Sequence, residues 1–295
     1  MLETFGGRVL REGVVFLEHG PVSMVLEARQ REQPATDLAM KGAERVVDFF
    51  EQLATDLGAA KRHLYFHEPL LDCSHPLALQ RMIASVRKLG EPEFTPMAAV
   101  AGTLADMAVE SMVEAGADYA LANNGGDIAF RLPLSKRELN VGIISDLSIG
   151  QVTHRLTIER DSGIRGLATS GFGGRSLTRG IASAVTVMAR DASAADAAAT
   201  SVANACDAED PQVIKCLAEE IDYDTDIRGL SVTKSIGPLE ETTVRTALRH
   251  GSERASDLCE SGMIEGAVLF VSGRMVCRWR GKTPPFSIQA LFPER

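Results

Sequence analysis

Two stretches restrict the topology of this chain more than anything else in it. D-Y-A-L-A-N-N-G-G-D-I-A-F (118–130) sets two apolar runs on either side of Asn-Gly-Gly. A-V-L-F-V-S-G-R-M-V-C-R-W (267–279) does the same around Ser272-Gly273. Such turn pairs tolerate positive φ and join neighbouring strands over two residues, so each stretch predicts an antiparallel hairpin. The N-terminus reads similarly, with runs at 8–17 and 22–28 separated by His19-Gly20-Pro21. Further strands are expected at 141–144, 153–159, 164–169 and 184–189. Between these lie helical patterns. Asp37 suits the cap of a long amphipathic helix with Leu38, Val46, Val47, Phe50 and Leu53 on one face. Pro76 and Gly90 bracket a second helix, and Pro96 and Gly116 a third. Others are expected over 193–205, 211–220 and 239–260. Helices and strands come in mixed blocks rather than strict alternation, which predicts an α+β fold with antiparallel sheets and argues against a doubly wound parallel sheet. One faint echo suggests duplicated helix-plus-hairpin units. Ala105-Asp106-Met107-Ala108 returns ninety residues later as Ala195-Asp196-Ala197-Ala198.

The 295 residues carry a formal charge of -9, which argues against a nucleic-acid partner. No segment approaches the ~20 continuous apolar residues of a membrane span. The first residues show no charged leader followed by an apolar run, and the five scattered cysteines form no C-x-x-C pair. The expectation is a reduced, cytoplasmic protein without a membrane partner. No linker separates independent domains, so residues 1–295 are expected to form a single unit of two intertwined halves.

Four segments are candidates for chemistry. In S-A-A-D-A-A-A-T-S-V-A-N-A (193–205), Asp196 and Thr200 are four residues apart and share one helix face. A carboxylate and a hydroxyl side by side are hard ligands suited to Mg²⁺. Equally, Asp196 suits a cap on the first turn and Thr200 suits packing within the helix. Asn124, Gly125, Gly126 and Asp127 make either an ordinary hairpin turn or a corner where a flat ligand meets backbone and polar edges. The loop G-L-A-T-S-G-F-G-G-R-S (166–176) offers glycines, hydroxyls and Arg175, which suits an anion-binding nest or a plain surface loop. It matches neither the Walker pattern nor G-x-G-x-x-G. T-P-M-A-A-V-A-G-T (95–103) starts a helix with small residues, suited to close packing or to exposed amides. His63, His67 and His75 show no metal-ligand spacing, and Trp279 with the last hairpin reads as core or interface.

Taken in order, P-M-A-A-V-A-G, N-G-G-D, A-T-S-G and A-D-A-A-A-T resemble the ApbE-like superfamily, which includes the FAD:protein FMN transferases. The match is nearest to a soluble, uncharacterised branch and covers roughly 37–205. The resemblance implies an ApbE-like fold with a cleft between its halves. It implies Mg²⁺ held by Asp196 and Thr200, with a carbonyl near Ala99 or Ala101 as a third ligand. It further implies Asn124, Gly125, Gly126 and Asp127 near a flavin, with Thr169, Ser170 and Gly171 beside the ligand. The function implied is Mg²⁺-dependent chemistry on FAD or FMN, either FMN transfer or cleavage of the FAD pyrophosphate. The alternative is a binder of a flavin, pterin or other flat heterocycle. Fold analogy leans to a homodimer. Three departures bear on activity. No lysine occurs between Lys88 and Lys136, where transferases carry one. Phe172 and Gly173 follow T-S-G where an acidic and a basic residue are usual. The turn S-L-T-R-G-I-A-S-A lacks the proline of the transferases.

Overall fold

The computed structural model describes residues 6–66 and 74–292; His67 and Cys73 lie outside them. In chain order the elements are β1 (Gly7–Arg11), β2 (Val14–His19), β3 (Val22–Gln30), β4 (Gln33–Pro34), α1 (Thr36–Ala54), α2 (Leu57–Ala60), α3 (Leu77–Arg87) and α4 (Val100–Glu114). Then come β5 (Tyr119–Asn124), β6 (Asp127–Arg131), β7 (Glu138–Ile143), β8 (His154–Glu159), β9 (Gly166–Ser170), β10 (Ala184–Ala189) and α5 (Ala192–Ala205). The chain continues with β11 (Val213–Leu217), β12 (Ser231–Ile236), α6 (Glu241–Glu260), β13 (Gly266–Val271), β14 (Arg274–Trp279) and β15 (Phe286–Ala290). The α+β expectation holds.

Contacts divide the chain into two compact units woven from alternating segments. The first runs through Arg137 and adds Arg165–Ala168 and Arg190–Asp196. Its antiparallel strands follow the order β1-β2-β3-β5-β6 and then the first residues of β9. Helices α1 and α4 pack together on one face of this sheet. Leu17, Met24, Leu26, Met107, Met112 and Phe130 are buried at their junction, each contributing roughly 1.5–3 kcal/mol on burial. Buried residues of α4 run around much of its circumference, so it is a core helix rather than a surface one. The N-cap position of α1 belongs to Ala35; Asp37 only occupies the first turn. Pro96 opens a short 3₁₀ turn, Pro96–Ala99, and the α-helix proper begins at Val100.

The second unit holds Glu138–Ile164, Thr169–Ala189 and Ala197–Arg295. There β10, β13 and β14 pair in order, with α6 packed on the last two. A second sheet has the order β15-β8-β7, and β11 pairs β12. Ser272 (φ +46) and Gly273 (φ +77) make the left-handed pair that the hairpin β13–β14 requires. The helix expected over 211–220 is instead strand β11 followed by a 3₁₀ turn, Ala218–Glu220. Val213-Ile214-Lys215-Cys216-Leu217 finds a partner strand 14 residues further on, and cross-strand pairing overrides local helix preference. Among the described residues no helix is long and apolar enough to cross a membrane.

Candidate functional site

The ninety-residue echo is a structural clasp. In α4, Gly102-Thr103-Leu104-Ala105-Asp106 occupies one turn; in α5, Ala192-Ser193-Ala194-Ala195-Asp196 does the same. Each turn offers an amide at its start and a carboxylate four residues later. Asp196 Oδ2 accepts from the Gly102 amide at 2.9 Å, and the Ala101 amide also bonds this carboxylate. In return, Asp106 accepts from the Ala192 amide at Oδ1 and from the Ser193 amide at Oδ2, both at 2.8 Å. Each aspartate thus satisfies orphan N–H groups at the other helix's positive end. Asp196 does not cap its own helix. That role belongs to Asp191, whose Oδ1 accepts from the Ala194 amide at 2.7 Å and from the Ser193 hydroxyl at 3.0 Å.

Glycine makes the crossing possible. A Cβ on Gly102 would stand 2.2 Å from the Ala192 carbonyl oxygen and 2.9 Å from Asp196 Cβ. On the other side of the same turn, a Cβ on Gly166 would stand 2.1 Å from the Ala192 nitrogen. The first turn of α5 is therefore wedged between two backbones that only glycine leaves close enough.

The hairpin β5–β6 reaches the same place. Asn124 is buried and donates its Nδ2 to the Ala101 carbonyl at 3.3 Å. Gly125 (φ +70) and Gly126 (φ +116) form the turn, and the Gly126 amide donates to Asn123 Oδ1 at 2.9 Å. The space beside Gly126 is open. Asp127, opposite Asn124 in the register, lies close enough to Asp196 to act on its charge. Burial first and the negative charge of Asp127 second hold the Asp196 carboxyl well above the ordinary carboxylate range, against the amides that lower it. Burial likewise raises Asp106 to about 7, against its two amide bonds.

The first unit therefore gathers Asn124, Gly125, Gly126, Asp127 and Asp196 around the start of α4. Thr200 follows Asp196 by one turn of α5 and is half-buried. Thr169, Ser170, Gly171 and Arg175 belong to the second unit. The Thr169 hydroxyl is spent on Thr186 at 2.8 Å. Gly171 is buried at φ +153, and a Cβ there would meet the Ser183 carbonyl at 2.7 Å. The Phe172 and Gly174 amides bond within the chain, to Ala182 and Gly171, which removes two donors from the expected anion nest. Arg175 is exposed.

The donor set around Asp196 fits a hard divalent cation. It is all oxygen, and the raised Asp196 beside Asp127 is a charge imbalance that a cation relieves. Among the described residues no three His, Cys, Asp or Glu side chains cluster to hold a metal. His63 meets the Glu93 carbonyl at 2.6 Å and His75 meets Asp56 at 2.5 Å. Burial pushes the Cys206 thiol up to about 12, far from a nucleophile's range.

A family model described as AbpE bacteria matches residues 8–277. The chain belongs to this family. It is also similar to a UPF0280 protein of Methanococcoides burtonii, 43% identical over 140 residues, covering 45% of this chain and 55% of the relative. A UPF0280 protein of Methanothrix thermoacetophila is 49% identical over 112 residues, 37% of this chain and 45% of that one. The chain spans about half the length of these curated relatives. Among solved structures it is similar to the flavinyl transferase ApbE of Pseudomonas stutzeri in its apo form. That match has a TM-score of 0.49 and 13% identity, over 88% of this chain and 90% of that one.

Sequence reasoning placed Gly102 and Gly166 in candidate segments and Asp106 in the echo without the contacts they make, and it missed Asp191. The echo itself extends back to Gly102 and Ala192, small residues one turn before each aspartate.

Proposed function

We propose that this protein is a Mg²⁺-dependent enzyme acting on a flavin nucleotide, by FMN transfer or by cleavage of the FAD pyrophosphate. The observation that carries the reading is the Asp196 carboxylate, held at the N-terminus of α4 beside Asp127 with the Thr200 hydroxyl one turn on. In this reading Asp196 and Thr200 ligate the metal, with the Ala101 carbonyl as a third oxygen. A metal held by these residues would supply charge neutralisation at the pyrophosphate. The amides of Ala101 and Gly102 hold Asp196 in one orientation. Asn124 fixes the hairpin corner against α4, so that Gly125, Gly126 and Asp127 present backbone and a carboxylate to the flavin ring. Thr169, Ser170 and Gly171 are assigned to the same ligand by family resemblance, and Arg175 by its guanidinium in the glycine-rich loop, as a phosphate contact. A cytoplasmic location and a homodimer belong to the same reading.

A second reading has a specific observation behind it. The absence of lysine between Lys88 and Lys136 favours a protein that holds a flavin, pterin or other flat heterocycle without turning it over. Incubation with FAD and Mg²⁺, then chromatography, separates the two. Release of AMP, with FMN either freed by water or carried on an acceptor hydroxyl, abolished by EDTA, is the expected result. Retained, intact FAD would replace the enzyme with the binding module, and failure to bind FAD at all would remove the flavin from both.

A further inference from the structure

The clasp is closed on itself, and that gives Asp106 a task beyond capping. The Gly102 amide lies one turn from Asp106 in α4, and the Ala192 and Ser193 amides lie up to one turn from Asp196 in α5. Following the bonds from Gly102 to Asp196, back along α5 to Ala192, across to Asp106 and along α4 returns to Gly102. Neither carboxylate can move without releasing the start of the opposite helix. The two are not equivalent. Asp106 divides its two oxygens between two amides, and nothing in the proposed site falls to it. Asp196 faces Asp127 as well.

We propose that Asp106 is the positioning residue for Asp196. By anchoring the first turn of α5 it fixes where the Asp196 carboxylate stands, and so governs metal affinity from a place that does not touch the metal. This rests on Asp196 being a metal ligand, the reading given above, but half of it does not. The coupling of the two helix starts can be observed with no metal present.

Two measurements on the full chain test it, with Asp106→Ala, Asp106→Asn and, as a destabilised control away from the clasp, Val46→Ala. The first is amide hydrogen exchange at Gly102 without metal. The Asp106 carboxylate bonds the Ala192 and Ser193 amides and not the Gly102 amide, yet Asp106→Ala is expected to speed exchange there at least tenfold, and Val46→Ala to change it only as far as its global stability falls. The second is Mn²⁺ titration by calorimetry and electron paramagnetic resonance at pH 8. Asp106→Ala is expected to weaken Mn²⁺ at least tenfold, and Asp106→Asn, which keeps one acceptor oxygen, by less. Val46→Ala should bind as the wild type does. If Gly102 stays protected in Asp106→Ala while Ala192 and Ser193 open, the coupling is absent and the inference is wrong. Mn²⁺ affinity within twofold of wild type in Asp106→Ala overturns it too. Wild-type protein that binds no Mn²⁺, or an Asp196→Ala variant that binds it fully, removes the metal reading, and the positioning role with it, while leaving the exchange result to stand alone.

Discussion

Asp106 and Asp196 are carboxylates whose burial works against their charge, and that fixes the sign of their pH dependence. Asp106 has a folded pKa of about 7, above its value in the unfolded chain. Between about pH 4 and 7 the folded state therefore binds a proton that the unfolded state has released. Its contribution to stability is greatest at the acid side of that window and is lost as pH rises through 7. Urea unfolding at pH 5, 6, 7 and 8 should show stability falling across the series, and Asp106→Asn should flatten the fall. An unchanged slope in that variant would assign the effect elsewhere. Asp196 shifts the same way, and a metal bound as proposed would have to displace its proton. Mg²⁺ affinity is accordingly expected to rise from pH 6 to pH 8; affinity independent of pH would mean that Asp196 is not the ligand. At this scale the sequence was legible where the chemistry is local. Asp196 and Thr200 share a face because helical spacing requires it, and Gly125-Gly126 turn because their φ values are open to glycine. The pairing of Asp106 with Ala192 and Ser193 joins residues 86 and 87 positions apart, and no local rule reaches that far.

Among elements, one tight constraint is the crossing of α4 and α5. A methyl group at Gly102 meets backbone, which cannot swing aside as a side chain can. Gly102→Ala is expected to cost roughly 2–3 kcal/mol, the upper part of the overpacking range, read as a lower urea midpoint at constant slope. Unaltered stability would mean that the helices have room the structure does not show. The hairpins were legible because two residues with positive φ leave little choice of connection. Strand β11 was not: V-I-K-C-L carries no turn signal at its C-terminal end, where Ala218-Glu219-Glu220 follows, and its partner β12 supplies the reason it is extended. Strand β15 pairs with β8 from 128 (Phe286 with Ile158) to 136 (Ala290 with His154) residues away, and its sequence alone has no such information.

For the whole molecule, the two units are assembled from six alternating segments, so the chain crosses from one to the other five times. Neither unit is a continuous stretch that could be expressed alone. Thermal unfolding is expected as one transition, with calorimetric and van't Hoff enthalpies in agreement; two separated transitions would contradict that interdependence. The family match over 8–277 spans both units, and within it the first unit carries the aspartate on which the functional account turns. The most direct measurement of that account is FAD binding, followed by flavin fluorescence, with Mg²⁺ and again with EDTA, in wild type and in Asp196→Ala. The account predicts binding in wild type with Mg²⁺, and loss of at least tenfold in affinity with EDTA or in the variant. Equal affinity in all four conditions, or no binding in any, would contradict it.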